Sequence, residues 1–148
     1  MPAFVTLGRI LFVVLFVFSG ASKLLDLQST AQMTEKIVFP AIVAPYTAQL
    51  ETITGMPLAQ LLAITSGVIE VVCGLMIALN FGARFFAIIL ILFVAGATFY
   101  FHDFWNQTGP EARGNLVHAL KNLSLIGALF MIAGSSRSAK IQEPAYDV

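Results

Sequence analysis

A few side chains able to do chemistry stand inside stretches of this sequence that are otherwise apolar. They are Arg9, Glu70, His102, Lys121 and Asn122, with Trp105 three residues beyond His102. A glutamate set against an arginine or lysine can move a proton, or it can simply hold two helices in register. A lysine beside an amide, as in Lys121-Asn122, supplies hydrogen-bond donors for the polar head of an apolar ligand. His102 adds an imidazole and Trp105 a broad aromatic face. Plainer readings stand beside these. His102 and Trp105 fit the aromatic belt that collects at a membrane surface. His118, one turn before Lys121, fits the interface, and Cys73 fits a small packing position.

Four apolar runs must position these residues. About 20 apolar residues cross a hydrocarbon core of about 30 Å. The chain offers such runs at residues 4–25, 57–79, 83–101 and 113–133. Pro57 falls where a first helical position tolerates proline. Asn80-Phe81-Gly82 breaks the second run from the third, Thr108-Gly109-Pro110 opens the fourth and Gly134-Ser135-Ser136 closes it. Residues 28–54 are expected to form an interfacial or re-entrant connection. Within them, residues 29–39 suit a short amphipathic helix that Pro40 stops, and Pro40 and Pro45 interrupt the apolar stretch that follows. A short, polar, mobile tail is expected from Arg137. The first run reaches spanning length and ends on Ala21-Ser22-Lys23, a poor cleavage context, so it reads as a span and not as a cleavable signal.

Composition agrees with four spans. Of 148 residues, 58% are hydrophobic and 11% charged, against about 25% charged in a soluble domain. The mean hydropathy is +0.87. Such a chain cannot cover a soluble surface, and lipid must be its solvent. The expected fold is all-α, an integral membrane bundle of four transmembrane helices in one domain. Eight basic and eight acidic residues cancel, so nothing points to nucleic acid. One cysteine makes no internal disulfide, dithiol redox pair or cysteine-rich zinc or iron–sulfur site, and no metal set is expected. Nothing in the placement of His102 and His118 supports a bis-histidine haem. Both termini and the turn at 80–84 share one side, with Arg9, Arg84, Arg137 and Lys140. The other side has Lys23, Lys36 and Arg113, so both termini are expected in the cytoplasm.

An unpaired charge inside a span costs roughly 2.5–3.5 kcal/mol on insertion scales, so such residues are expected to face the bundle interior. Arg9, Phe12, Phe16, Ser19 and Lys23 share one helical stripe, and Ala63, Ser66, Glu70, Cys73 and Ile77 share another. At 1.5 Å per residue, Glu70 lies roughly 20 Å, and Lys121 roughly 12 Å, below the ends of their spans on the Lys23 side, while Arg9 enters roughly 8 Å from the opposite side. Glu70 is therefore expected to pair with Arg9, Lys121 or both, in a polar cavity lined by Arg9, Glu70, His102, Lys121 and Asn122.

Three stretches carry a family resemblance. They are Gly8-Arg9-Ile10-Leu11 with Phe18-Ser19-Gly20-Ala21-Ser22-Lys23-Leu24; Gly67-Val68-Ile69-Glu70-Val71-Val72-Cys73-Gly74-Leu75; and Ala97-Thr98-Phe99-Tyr100-Phe101-His102-Asp103-Phe104-Trp105-Asn106 with Lys121-Asn122-Leu123-Ser124-Leu125-Ile126-Gly127-Ala128-Leu129. In order and spacing the chain resembles the DoxX family of small bacterial membrane proteins. The resemblance implies a four-helix protein of the bacterial inner membrane. It also implies that Arg9, Glu70, His102, Lys121 and Asn122 match recurring positions. The family is named for a subunit of a thiosulfate:quinone oxidoreductase, which points to quinone as ligand and to a redox partner protein.

Two functions follow as expectations. In the first, the chain is a component of quinone-linked membrane redox chemistry. Glu70 and His102 move protons there, and Arg9, Lys121, Asn122 and Trp105 hold the quinone. In the second, it is a non-enzymatic scaffold or assembly subunit of a larger complex, and the polar cluster only locks helices. A small transporter fits less well, because four spans show neither broken helices nor an inverted repeat. Gly67, Gly74, Gly96 and Gly127 supply close-packing positions for the core or for a homodimer.

Overall fold

The computed structural model describes residues 2–135, and the polar tail expected from Arg137 lies outside them. Among the described residues there are six α-helices and no strand. Helix α1 is Pro2–Leu25, α2 Leu27–Thr34, α3 Ala44–Thr54, α4 Leu58–Ala78, α5 Ala83–Phe101 and α6 Gly109–Ser135. Single 3-10 turns occupy Ala41–Val43 and Phe104–Asn106. Four of the helices, α1, α4, α5 and α6, are long and apolar enough to cross a membrane. The chain is an all-α integral membrane protein with four spans.

Local chemistry sets the boundaries. Asp26 breaks α1 from α2, and its carboxylate accepts the Ser29 N–H as the cap of α2. Gly55, at φ 67°, closes α3 in the left-handed region. Asn80 and Gly82, both at φ 56°, make the sharp turn between α4 and α5. The fourth span starts earlier than its apolar run: Gly109 and Pro110 are already helical, and the first two turns of α6 carry Glu111 and Arg113.

Packing runs in a row. Helix α1 packs on α4, α4 on α5 and α5 on α6, with no comparable contact from α6 back to α1. The core, with Ile77, Leu90 and Leu129 fully buried, lies in the half of the spans near the 80–82 turn. That end, which also holds both ends of the described chain, is the terminal side, and the opposite end is the loop side.

The α1–α4 contact is the tightest. A Cβ on Gly20 would stand 2.6 Å from the Gly67 carbonyl oxygen, and one on Gly74 would touch Val17 at 3.0 Å. Small residues let the two backbones meet, which is how helices associate where lipid removes the hydrophobic drive. This contact also sets the register. Gly20 lies opposite Gly67, so α1 ends well short of the loop-side end of α4. Helix α2 covers the rest, with the Thr34 hydroxyl 2.8 Å from the Ala59 carbonyl.

Candidate functional site

The register decides which charges meet. Lys23 Nζ lies 2.6 Å from Glu70 Oε2, and Ser19 Oγ donates to the same oxygen at 3.1 Å. Lys23 also donates to Ser19 Oγ at 3.2 Å and stands 5.6 Å from the centre of the Phe93 ring. Glu70 is buried, and twelve residues, roughly 18 Å, separate it from the loop-side end of α4. The ion pair therefore lies deep in the membrane, where neither charge could be left alone at small cost.

This corrects the expected pairing. Arg9 sits on the terminal side, where its Nη1 donates to Asn80 Oδ1 beyond the end of α4. Ten residues of helix, roughly 15 Å, separate that level from Glu70, beyond the reach of an arginine. Lys121 is exposed on α6 and has no hydrogen-bond or ion-pair partner among the described residues. Helix α5 stands between α6 and Glu70. Asn122 turns to α5, donating to Thr98 Oγ1 at 2.9 Å. The sequence had placed Lys23 on the Arg9 stripe, but a first span assumed to cross the whole membrane put it at the surface.

A cavity of about 680 Å³ opens over the ion pair, between α2, α4 and α5. Its floor is Lys23 and Glu70. Leu62, Ser66 and Ile69 of α4 form one wall, and Leu92, Phe93 and Gly96 of α5 the other. Thr30 and Thr34 of α2 close a third side. The loop-side mouth is framed by Lys36 and Phe39 against Tyr100 and Phe101. Of the five residues expected to line one polar cavity, only Glu70 does so. The wall is apolar and aromatic, polar at its floor and again at its mouth.

His102 belongs to a separate cluster at the loop-side ends of α5 and α6. Gln107 Nε2 donates to Asp103 Oδ1 at 2.9 Å, Asn115 Nδ2 donates to Gln107 Oε1 at 2.6 Å, and Asn115 Oδ1 lies 3.1 Å from His102 Nδ1. An ionised carboxylate only accepts, so Asp103 fixes the Gln107 amide, which fixes Asn115, which requires His102 Nδ1 to be the donor. The free atom of His102 is then Nε2. The His118 ring stacks on His102 with centres 5.0 Å apart and planes 10° apart. Such parallel rings cannot both hold one metal ion in their own planes. Trp105, half exposed on the Phe104–Asn106 turn, packs against Phe99 at 5.7 Å and Phe104 at 5.1 Å.

Fold and site together define a small four-span membrane protein with an apolar cavity built over an intramembrane ion pair. The DoxX family model matches residues 4–103, from α1 to just past α5, and the chain belongs to the DoxX family. It is similar to the inner membrane protein YphA of Escherichia coli (strain K12), at 29% identity over 132 residues, which covers 89% of this chain and 82% of that protein. No solved structure matches it.

Proposed function

We propose that the chain is a quinone-binding component of a redox system in the bacterial inner membrane. The observation that carries this reading is the cavity over Lys23 and Glu70. Its volume falls in the range of about 300–1,000 Å³ typical of small-molecule sites, and its lining has the usual character of apolar walls with few polar groups. Those walls suit an isoprenoid tail and an aromatic-sized ring, and Phe93 and Tyr100 offer faces for the ring to pack on. The Lys23 ammonium has three donors, two of them spent on Glu70 and Ser19, and the third serves a carbonyl oxygen. Glu70 holds Lys23 in place and is the group able to exchange a proton with it. Bound there, a quinone supplies two-electron redox chemistry, with electrons from a partner protein. His102, two residues from Tyr100 at the mouth, exchanges protons with the aqueous side through Nε2.

The relative named as an inner membrane protein supports the location. The test uses Gly96, which lines the cavity and whose Cβ would meet nothing within 4 Å, so that a larger side chain fills the cavity without displacing a helix. Wild type and Gly96→Leu are purified in native nanodiscs, and small molecules are extracted and identified by mass spectrometry. Quinone is expected with wild type and lost from the folded variant. Wild type without quinone in repeated preparations overturns the reading and favours a scaffold whose ion pair only locks α1 to α4.

A further inference from the structure

The connection between α2 and α4 carries an apolar stripe that nothing else in the described chain covers. Ile42, Tyr46, Leu50 and Ile53 recur at three- and four-residue spacing along the 3-10 turn and α3, so they share one side. Ile42, Tyr46 and Ile53 are 79%, 68% and 72% exposed. Ala48 and Glu51 fall on the other side. In water, such a stripe on an isolated helix would be a liability.

The two ends of the connection are held at the same level. Phe39 frames the cavity mouth beside Tyr100 and Phe101, at the loop-side end of α5. At the other end, the Glu51 carboxylate accepts the Leu58 N–H at 2.6 Å, which pins α3 to the start of α4. Helix α3 has 11 residues and is a rod roughly 16 Å long. Between Phe39 and α3 the chain has only Pro40 and the 3-10 turn, which advances about 2 Å per residue and so climbs well under 16 Å. The rod cannot stand upright on that connection. It also makes little contact with α4 beyond its end, so it does not fold back down the span. Helix α3 must lie across the loop-side surface of the membrane.

We propose that α3 is an interfacial helix whose partner is the lipid bilayer itself. The Ile42, Tyr46, Leu50 and Ile53 side sinks into the headgroup and upper acyl region, the Ala48 side faces water, and Glu51 stays on the Leu58 N–H. The occupant is lipid because α3 is tied through Glu51 to the first residue of a membrane span and follows within a few residues of Phe39 at the cavity mouth, which sets it at the level of the bilayer surface. Placed there, α3 lies at the level of the cavity mouth, at the boundary between lipid and water. This placement is independent of the ligand proposed for the cavity.

The test is tryptophan quenching. The chain has one tryptophan, so Trp105→Phe gives a silent background. Tyr46→Trp, with Ile53→Trp as a second probe of the same side and Ala48→Trp as the opposite side, are reconstituted in phosphatidylethanolamine and phosphatidylglycerol vesicles containing brominated phosphatidylcholine. Probes at 46 and 53 are expected to emit at shorter wavelength and to be quenched at least about twofold more by shallow-brominated lipid than the probe at 48, which aqueous iodide quenches instead. Equal iodide quenching of all three, with no response to brominated lipid, would place the stripe in water or under a soluble protein and overturn the proposal. Stronger quenching by deep-brominated than by shallow-brominated lipid would make the segment re-entrant and overturn it too.

Discussion

At the scale of single residues, the Lys23–Glu70 pair makes the clearest demand. Removing one partner of a buried pair leaves the other uncompensated, at a cost on the order of 3 kcal/mol, whereas replacing both with apolar groups is close to neutral. Glu70→Leu and Lys23→Met are each expected to lower stability in detergent-to-SDS unfolding by about that much, and the double variant to return to within about 1 kcal/mol of wild type. A double variant no more stable than the singles would show that the two side chains are not coupled. His102 makes a different demand. The chain from Asp103 through Gln107 and Asn115 fixes its proton on Nδ1, so Asn115→Leu should shift the ring toward the Nε2–H tautomer. Two-dimensional NMR on 15N-histidine reads this directly, and an unchanged tautomer would show that the amide chain does not set it. The sequence made Glu70 and His102 visible as polar groups in apolar runs. It set Lys23 on the Arg9 stripe but at the surface, because its pairing with Glu70 depends on a distance between two helices and not on a residue type.

At the scale of elements, the spans were legible and their offset was not. Apolar length and breakers such as Asn80-Phe81-Gly82 are local, and α5 occupies the residues 83–101 that its apolar run marks. The offset of α1 against α4 comes from Gly20 and Gly67, whose meeting is a property of the pair. A Cβ on Gly20 would press on backbone, which cannot give way as a flexible side chain can. Gly20→Ala is therefore expected to destabilise by about 2 kcal/mol, within the usual cost of overpacking. Gly127→Ala on α6, where a Cβ would meet nothing within 4 Å, should be neutral or gain a few tenths of a kcal/mol from helix propensity. The same SDS titration separates the two. Equal losses at both glycines would mean that α1 and α4 do not touch through Gly20.

At the scale of the whole molecule, the order of helices settles which charges lie at which surface, and that bears on orientation. Four spans put both ends of the described chain and the 80–82 turn on one side. Arg9 and Arg84 stand there, followed in the sequence by Arg137 and Lys140. Lys23 had counted for the opposite side, but its pairing with Glu70 takes it out of the surface tally. Lys36 and Arg113 remain at the loop side. Lys121 lies about one turn below the end of α5, beside the Asn122–Thr98 contact, so its side chain can reach the interface there. The bias toward cytoplasmic termini is thus narrow, and it rests on short-loop arginines near span ends, which orient a chain more than acidic residues do. A C-terminal green fluorescent protein fusion is expected to fluoresce, a C-terminal alkaline phosphatase fusion to stay inactive, and a phosphatase sandwiched between α3 and α4 to be active. The cavity mouth would then face the outer leaflet, and ligand and protons would meet there. An active C-terminal phosphatase would reverse the chain, put the mouth in the inner leaflet and make His102 a contact with the cytoplasm.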